Sequence, residues 1–339
     1  YLGLIRNFHR YSWLLIYLFG ASPAACKCFV EGREHNLQEF DETSLFLPDA
    51  TCLRMGNLGY RSAAQESLFV CYNDLQTYVD CLYQAMHTPY PEYESIGQKV
   101  NGEYAQINTN LLQLENEFYS TIRPKRNVQS GERPLDALTN SGIEYVEVRA
   151  LDLDPYAPLG ITAEQVRFLD TFLLHCLLAE SPACDEQEFF EVASNMAKIV
   201  ECGRDVDLKL ELESTMKGLK EWSLELMEDL GHSAGLLDEA HGGTRYSESL
   251  SNQLAKVNDP NLTPSGQMLK EMREGNESFF EFSMRQSKAH QAYLVNNGLE
   301  EQTVSHMSAT SAESHDRQKE IEVSDDLIFD DFLTQWNDA

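Results

Sequence analysis

Apolar positions run almost without relief through the start of the chain, where Leu2, Ile5, Phe8, Trp13, Ile16 and Leu18 occupy every side of a helical wheel. A helix that is hydrophobic all round belongs in a core, and this one should stop at the breaker cluster Gly20-Ala-Ser-Pro23. Residues 30–44 are polar and read as a surface connection. Residues 50–55 read as a short strand, followed by a loop over 56–64 hinged on Gly56 and Gly59. Asn73 is a candidate N-cap for a helix with Leu75, Tyr78, Val79, Leu82, Ala85 and Met86 on one face. Residues 102–108 suggest a turn and an edge strand. Residues 111–119 alternate like a strand, with Gln113, Glu115, Glu117 and Tyr119 on one face. A basic knot, Arg123-Pro-Lys-Arg126, and a loop over 129–132 follow.

The clearest strand pattern lies in residues 143–153. Alternation puts Val146, Val148 and Ala150 on a face suited to a core, and Tyr145, Glu147, Arg149 and Leu151 on the other. Glu147 and Arg149 then stand about 7 Å apart along that face. This spacing suits a ligand lying across the strand better than a tight salt bridge. Beyond Pro158 the pattern turns helical. Thr162 and Gln165 form a capping box, a helix is expected over 166–178, and another over 185–202 closed by Gly203. Helical periodicity continues over 208–230 and 238–257, and again from Ser265. His175 reads as a helix-packing histidine. From Glu301 the chain carries ten acidic and two basic residues and reads as partly disordered, with a short helix at 327–336.

Composition narrows the function classes. The net charge of −29 opposes binding to nucleic acid or to an anionic membrane. The eight cysteines include one C-x-C pair, Cys26 and Cys28, and no zinc spacing, so reduced thiols are expected. Arg6, His9 and Arg10 leave an uncharged run of ten residues, 11–20, which is too short to span a bilayer. The chain opens with Tyr1 inside an apolar helix and is expected to belong to a longer protein. It carries no P-loop, no dinucleotide fingerprint, no nucleophile elbow and no H-E-x-x-H. Phosphate, if bound, must be held by arginines and carboxylate-bound magnesium. Glu115 and Glu117 are left open between a metal site and a solvated face.

Several longer stretches carry a resemblance. They are Tyr17-Leu-Phe-Gly-Ala-Ser-Pro23, Leu53-Arg-Met with Asn57-Leu-Gly-Tyr60, Gln106-Ile-Asn-Thr-Asn110, Leu114-Glu-Asn-Glu-Phe-Tyr119, Ile122-Arg-Pro-Lys-Arg126 and Gly142-Ile-Glu-Tyr-Val-Glu-Val-Arg149. Together they resemble glutamate–cysteine ligases of the proteobacterial type, strongly over residues 1–180 and more thinly through His241-Gly-Gly243 and Asn258-Asp-Pro-Asn-Leu-Thr263. The resemblance implies an α+β fold: a curved antiparallel sheet of the glutamine-synthetase-like carboxylate–amine ligase type, packed with helices, plus a helical C-terminal region. Residues 1–160 would form part of the catalytic sheet domain, 161–300 a helical region packed on it, and 301–339 an acidic tail. ATP would phosphorylate the side-chain carboxylate of glutamate, and the amine of cysteine would attack the acyl phosphate.

Residue by residue, the resemblance makes Glu147 a magnesium ligand and Arg149 the stabiliser of the transferring phosphoryl group. It makes Tyr60 and Tyr119 the tyrosines that close over cysteine, and Arg54 a substrate-pocket arginine. Arg123 and Lys125 are phosphate-side candidates on their charge alone. Magnesium and ATP are the expected cofactor and co-substrate. The expected partners are small molecules, met by a cytoplasmic monomer, with neither nucleic acid nor membrane. The family's other magnesium carboxylates, a metal-binding histidine and part of its cysteine pocket precede the position matched by Tyr1. Two other readings stay open: a non-catalytic chain retaining part of the pocket, and a sister ligase with another amine acceptor.

Overall fold

The apolar start of the chain folds as two consecutive helices, Leu2–Tyr11 and Trp13–Phe19, separated by the single residue Ser12. All seven residues of the second are buried. In this computed structural model, which describes every residue except Arg61, Gln129, Ser130 and Ala339, these helices sit at the centre of the core. Trp13 packs on Trp222 with ring centroids 4.8 Å apart, and Phe8 meets Phe172 edge-on at 5.7 Å. Full burial of side chains of this size contributes about 1.5–3 kcal/mol each, so this pair of helices anchors its surroundings. Around it pack Ala163–Leu178, Glu186–Cys202 and Leu219–His241, and one hydrophobic cluster runs from Leu4 to Val257.

The architecture is α+β. Among the described residues its sheets are small and antiparallel: a three-stranded one of Ala24–Cys26, Ser44–Phe46 and Gln38–Glu39, and three two-stranded pairs. One pair matters for chemistry. Ile122–Lys125 lies against Tyr145–Val148 with Ile122 opposite Val148 and Arg123 opposite Glu147. Ile122 and the following Ala150 are fully buried, which turns the charged face of the pair away from the core.

Several expectations need correction. Residues 50–55 are not a strand: a tight turn spans Leu53–Met55. Residues 111–119 form no strand either, because the Glu117 carboxylate folds back onto the Gln113 and Leu114 amides and winds Glu115–Glu117 into a turn. Leu112 and Phe118 are still buried, which accounts for the alternating pattern. The turn and edge strand expected over 102–108 lie slightly earlier, as a hairpin of Lys99–Val100 with Glu103–Tyr104 that turns on Asn101 and Gly102 at positive φ. Residues 208–218 are not helical. Glu213 and Ser214 adopt left-handed backbone and join strands Lys209–Leu212 and Thr215–Gly218, and the helix begins only at Leu219.

Asp74, not Asn73, caps the helix Leu75–Met86, while the Thr162–Gln165 capping box forms as expected. Gly203 closes its helix through close approach rather than left-handed backbone, since a Cβ there would lie 2.5 Å from the Ile199 carbonyl oxygen. The acidic region, read as partly disordered, contains the helices Glu301–Ser324 and Phe329–Asp338. Nothing in the first is buried, and the second docks through Leu333. The loop expected over 129–132 falls partly on residues outside those described. No described helix is long and apolar enough to cross a membrane.

Candidate active site

Six of the seven candidate residues converge on the strand pair. Arg123 and Glu147 face each other across it, with Lys125 and Arg149 to either side. The Glu147 Oε2 atom lies 3.1 Å from Arg149 Nε and 3.6 Å from Lys125 Nζ. A tight Glu147–Arg149 ion pair therefore does form, against the expectation from backbone spacing, because two long side chains close a 7 Å gap easily. Oε2 is enclosed yet takes no aligned hydrogen bond. Charge alone holds it.

Two cations, Lys125 and Arg149, contact this one carboxylate, and Arg123 stands opposite it in the strand register. Burial lowers the Lys125 pKa; Glu147 pulls it back up, and Arg123 and Arg149 push it further down. The excess positive charge suits an incoming anion with several oxygens.

Tyr60 ties the cations to a neighbouring cleft. Its hydroxyl accepts from Arg149 Nη1 at 2.9 Å and from Arg123 Nη2 at 3.4 Å. That hydrogen bond is the first cause of the raised Arg149 pKa. The Tyr60 ring meets Tyr119 edge-on with centroids 4.5 Å apart. Both rings line a cleft that also includes Phe69, Phe118 and Phe189. The tyrosine pair thus stands between a charged sheet face and an apolar hollow.

The loops that carry these rings are fixed by Gln65, which sequence reasoning did not single out, and by Arg123 and Gly59, which it singled out for other roles. Gln65 donates to the Glu117 carbonyl at 2.9 Å and accepts from the Tyr119 amide at 2.9 Å, so one side-chain amide pins the Tyr119 turn to the Tyr60 loop. Arg123, 4% exposed, donates to the carbonyls of Asn116 (3.0 Å) and Phe118. Gly59 is required by close approach: a Cβ there would lie 2.0 Å from the Arg54 carbonyl oxygen. The only available signal for these contacts was the polar type of residue 65 and the glycine at 59.

Arg54 stands apart from the six. Its Nε donates to Asp152 Oδ1 at 2.6 Å, and its Nη2 donates to the carbonyls of Ala150 and Leu151. Asp152 also accepts from the Ala21 amide and the Ser22 hydroxyl. The Arg54 carbonyl accepts from the Tyr60 amide. Its observed work is to bolt the Tyr60 loop to the end of the central strand. Glu115 and Glu117 are likewise committed, Glu115 to Arg133 at 2.9 Å and Glu117 to backbone amides. His175 packs against Tyr11, as expected.

His9 borders the same cleft. Its Nδ1 lies 3.4 Å from Thr121 Oγ1, and its enclosed Nε2 has no partner among the described residues. Burial lowers its pKa from 6.5 to about 4. As pH falls, the unfolded chain takes up this proton first, so the stabilisation is complete above pH 6.5 and drains away toward pH 4. The expected loss is about 3 kcal/mol. Acid unfolding of His9→Gln, followed by circular dichroism, should be less steep between pH 6.5 and 4. An unchanged slope would contradict this.

Magnesium does not fit the described residues by themselves. Among them no group of three or more Asp, Glu, His or Cys side chains is arranged to hold a metal, and Glu147 already faces Lys125 and Arg149. A hard divalent ion seeks several oxygens.

Fold and site together define an α+β protein that presents a sheet face rich in basic side chains beside a tyrosine-walled cleft. The family model for glutamate–cysteine ligase matches residues 1–199, and the chain belongs to that family. It is 48% identical over 336 residues to a glutamate–cysteine ligase of Pseudomonas paraeruginosa, covering 99% of this chain and 64% of that protein. The corresponding enzyme of Azotobacter vinelandii is 49% identical, with 99% of this chain and 63% of that protein covered. The chain thus spans just under two thirds of the length of these curated relatives. Among solved structures, a Francisella tularensis glutamate–cysteine ligase in complex with AMP superposes with a TM-score of 0.90 at 31% identity, covering all of this chain and 67% of that one. A bifunctional glutathione synthetase of Pasteurella multocida shares the fold, with a TM-score of 0.60 at 20% identity over 86% of this chain and 32% of that one.

Proposed function

We propose that this chain is the phosphoryl-transfer portion of an enzyme that joins the side-chain carboxylate of glutamate to the amine of cysteine at the expense of ATP, giving γ-glutamylcysteine for glutathione biosynthesis. The observation that carries this reading is the meeting of Lys125 and Arg149 on Glu147, with Arg123 opposite it in the strand register and Tyr60 bonded to both arginines. The nucleotide in the Francisella relative supports a phosphate-bearing ligand here.

In this reading Arg149 and Lys125 neutralise the charge that builds on the γ-phosphoryl oxygens as glutamate attacks. Phosphoryl transfer gains most from such placed charge. Arg123 is too enclosed to move, and holds Tyr60 and the Tyr119 turn in register. The two tyrosines close over the cysteine substrate and shield the acyl phosphate from water. Arg54 would have to leave Asp152 to meet a substrate carboxylate, so its observed contacts favour a positioning role. Glu147 is a carboxylate on this face that could contribute one oxygen to magnesium brought with ATP. Residues 1–160 supply the site in this scheme, and 161–300 support it. Small molecules are its partners, and we assign it to the cytoplasm as a monomer.

An acyl phosphate leaves an isotopic trace. With ¹⁸O in the glutamate side-chain carboxylate, the whole enzyme should transfer one labelled oxygen to inorganic phosphate for each peptide bond formed. Phosphate free of label would overturn the mechanism.

A further inference from the structure

The helix Phe329–Asp338 lies far along the chain from the candidate site yet reaches its supports. The Arg133 guanidinium sits 4.7 Å from the centroid of the Trp336 ring and donates to the Trp336 carbonyl at 3.3 Å. Arg133 is also the partner of Glu115, and the two side chains are only 12% and 5% exposed. The indole covers one face of this ion pair and so helps to keep it dry. At the other end of the helix, Asp330 binds Lys99 at 2.9 Å and the Tyr104 hydroxyl, with Phe329 edge-on to Tyr104.

Glu115 opens the turn that leads to Tyr119, and Arg123 holds that same turn by the Asn116 and Phe118 carbonyls. The contacts therefore form one continuous series from Trp336 through Arg133, Glu115 and the 115–118 turn to Arg123 and Tyr60. The connection back to the body is the helix Glu301–Ser324, which buries nothing. Leu333 is the one fully enclosed apolar side chain the docked helix contributes. A small tethered contact of this kind docks through high local concentration rather than large area.

We infer that the helix Phe329–Asp338 is a latch that holds the Tyr119 turn in place through the Trp336–Arg133–Glu115 stack. Trp336 is the positioning residue of this latch. The inference builds on the assignment of Tyr119 to the substrate cleft, but its test does not depend on which reaction occurs there.

Amide hydrogen exchange on the full chain, without substrates, reads the latch directly. Trp336→Ala should speed exchange at residues 115–121 at least tenfold while residues 14–18 of the core stay protected. Trp336→Phe, which keeps a ring over the guanidinium, should restore most of the protection. A chain ending at Ser324 should reproduce the alanine effect even if Trp336→Ala leaves the helix docked. Unchanged exchange at 115–121 in the shortened chain would overturn the latch. Faster exchange throughout the core would also overturn it, since the helix would then be a general stability element.

Discussion

Arg149→Gln, in the enzyme that carries this chain, is expected to lower the rate of cysteine-dependent ADP release about a thousandfold, roughly 4 kcal/mol of barrier. Arg149 is partly exposed and its guanidinium is shared between Glu147 and the Tyr60 hydroxyl, so it is free to add a phosphoryl contact without breaking the fold. The variant removes charge where the transferring group must be neutralised, and it releases Tyr60 from the sheet. Arg149→Lys should recover part of the loss, because a point charge remains but the planar fork that also reaches Tyr60 does not. Steady-state rates within tenfold of wild type for Arg149→Gln would remove Arg149 from the chemistry.

Arg123→Met is expected to act on stability first. The Arg123 side chain is buried and supplies hydrogen bonds to the Asn116 and Phe118 carbonyls and to Tyr60. Methionine fills much of the volume but leaves the Asn116 and Phe118 carbonyls without this donor. The cost is about 2–4 kcal/mol, which for a chain of 339 residues corresponds to a fall in melting temperature of roughly 3–6 °C. Calorimetry on both proteins checks this. A melting temperature within a degree or two of wild type would mean that the 115–118 turn is held by Gln65 and Glu117 alone. Arg123 thus separates from Arg149, although both stand on one face of the strand pair: one is structural by burial, the other available by exposure.

How far the sequence reached depended on whether an interaction was local. The alternation in residues 143–153 placed Glu147 and Arg149 together correctly, because strand periodicity is a property of the backbone. The capping box at Thr162 and the core character of the first helix were legible for the same reason. The pairing of Arg123 with Glu147 was not, since cross-strand register is set by which faces bury Ile122 and Ala150. The basic knot could be seen, but not the direction in which each side chain points. Leu112 and Phe118 produced an apparent strand because burial at two ends of a turn looks like alternation. Glu115 and Glu117 looked free because their partners, Arg133 and the amides of a folded-back loop, become neighbours only in three dimensions. Arg54 matched a pocket motif, yet Asp152, nearly a hundred residues on, claims its guanidinium. Local rules found the candidate face, and tertiary packing decided which of its neighbours are already engaged.

ADP release by the whole enzyme, with ATP, magnesium and glutamate, tests the central claim most directly when it is measured with and without cysteine alongside the peptide product. The account predicts one ADP per γ-glutamylcysteine formed, and little release when cysteine is withheld. ADP release indifferent to cysteine, or product formed faster with a different amine, would contradict the assignment of this chain to glutamate–cysteine ligation.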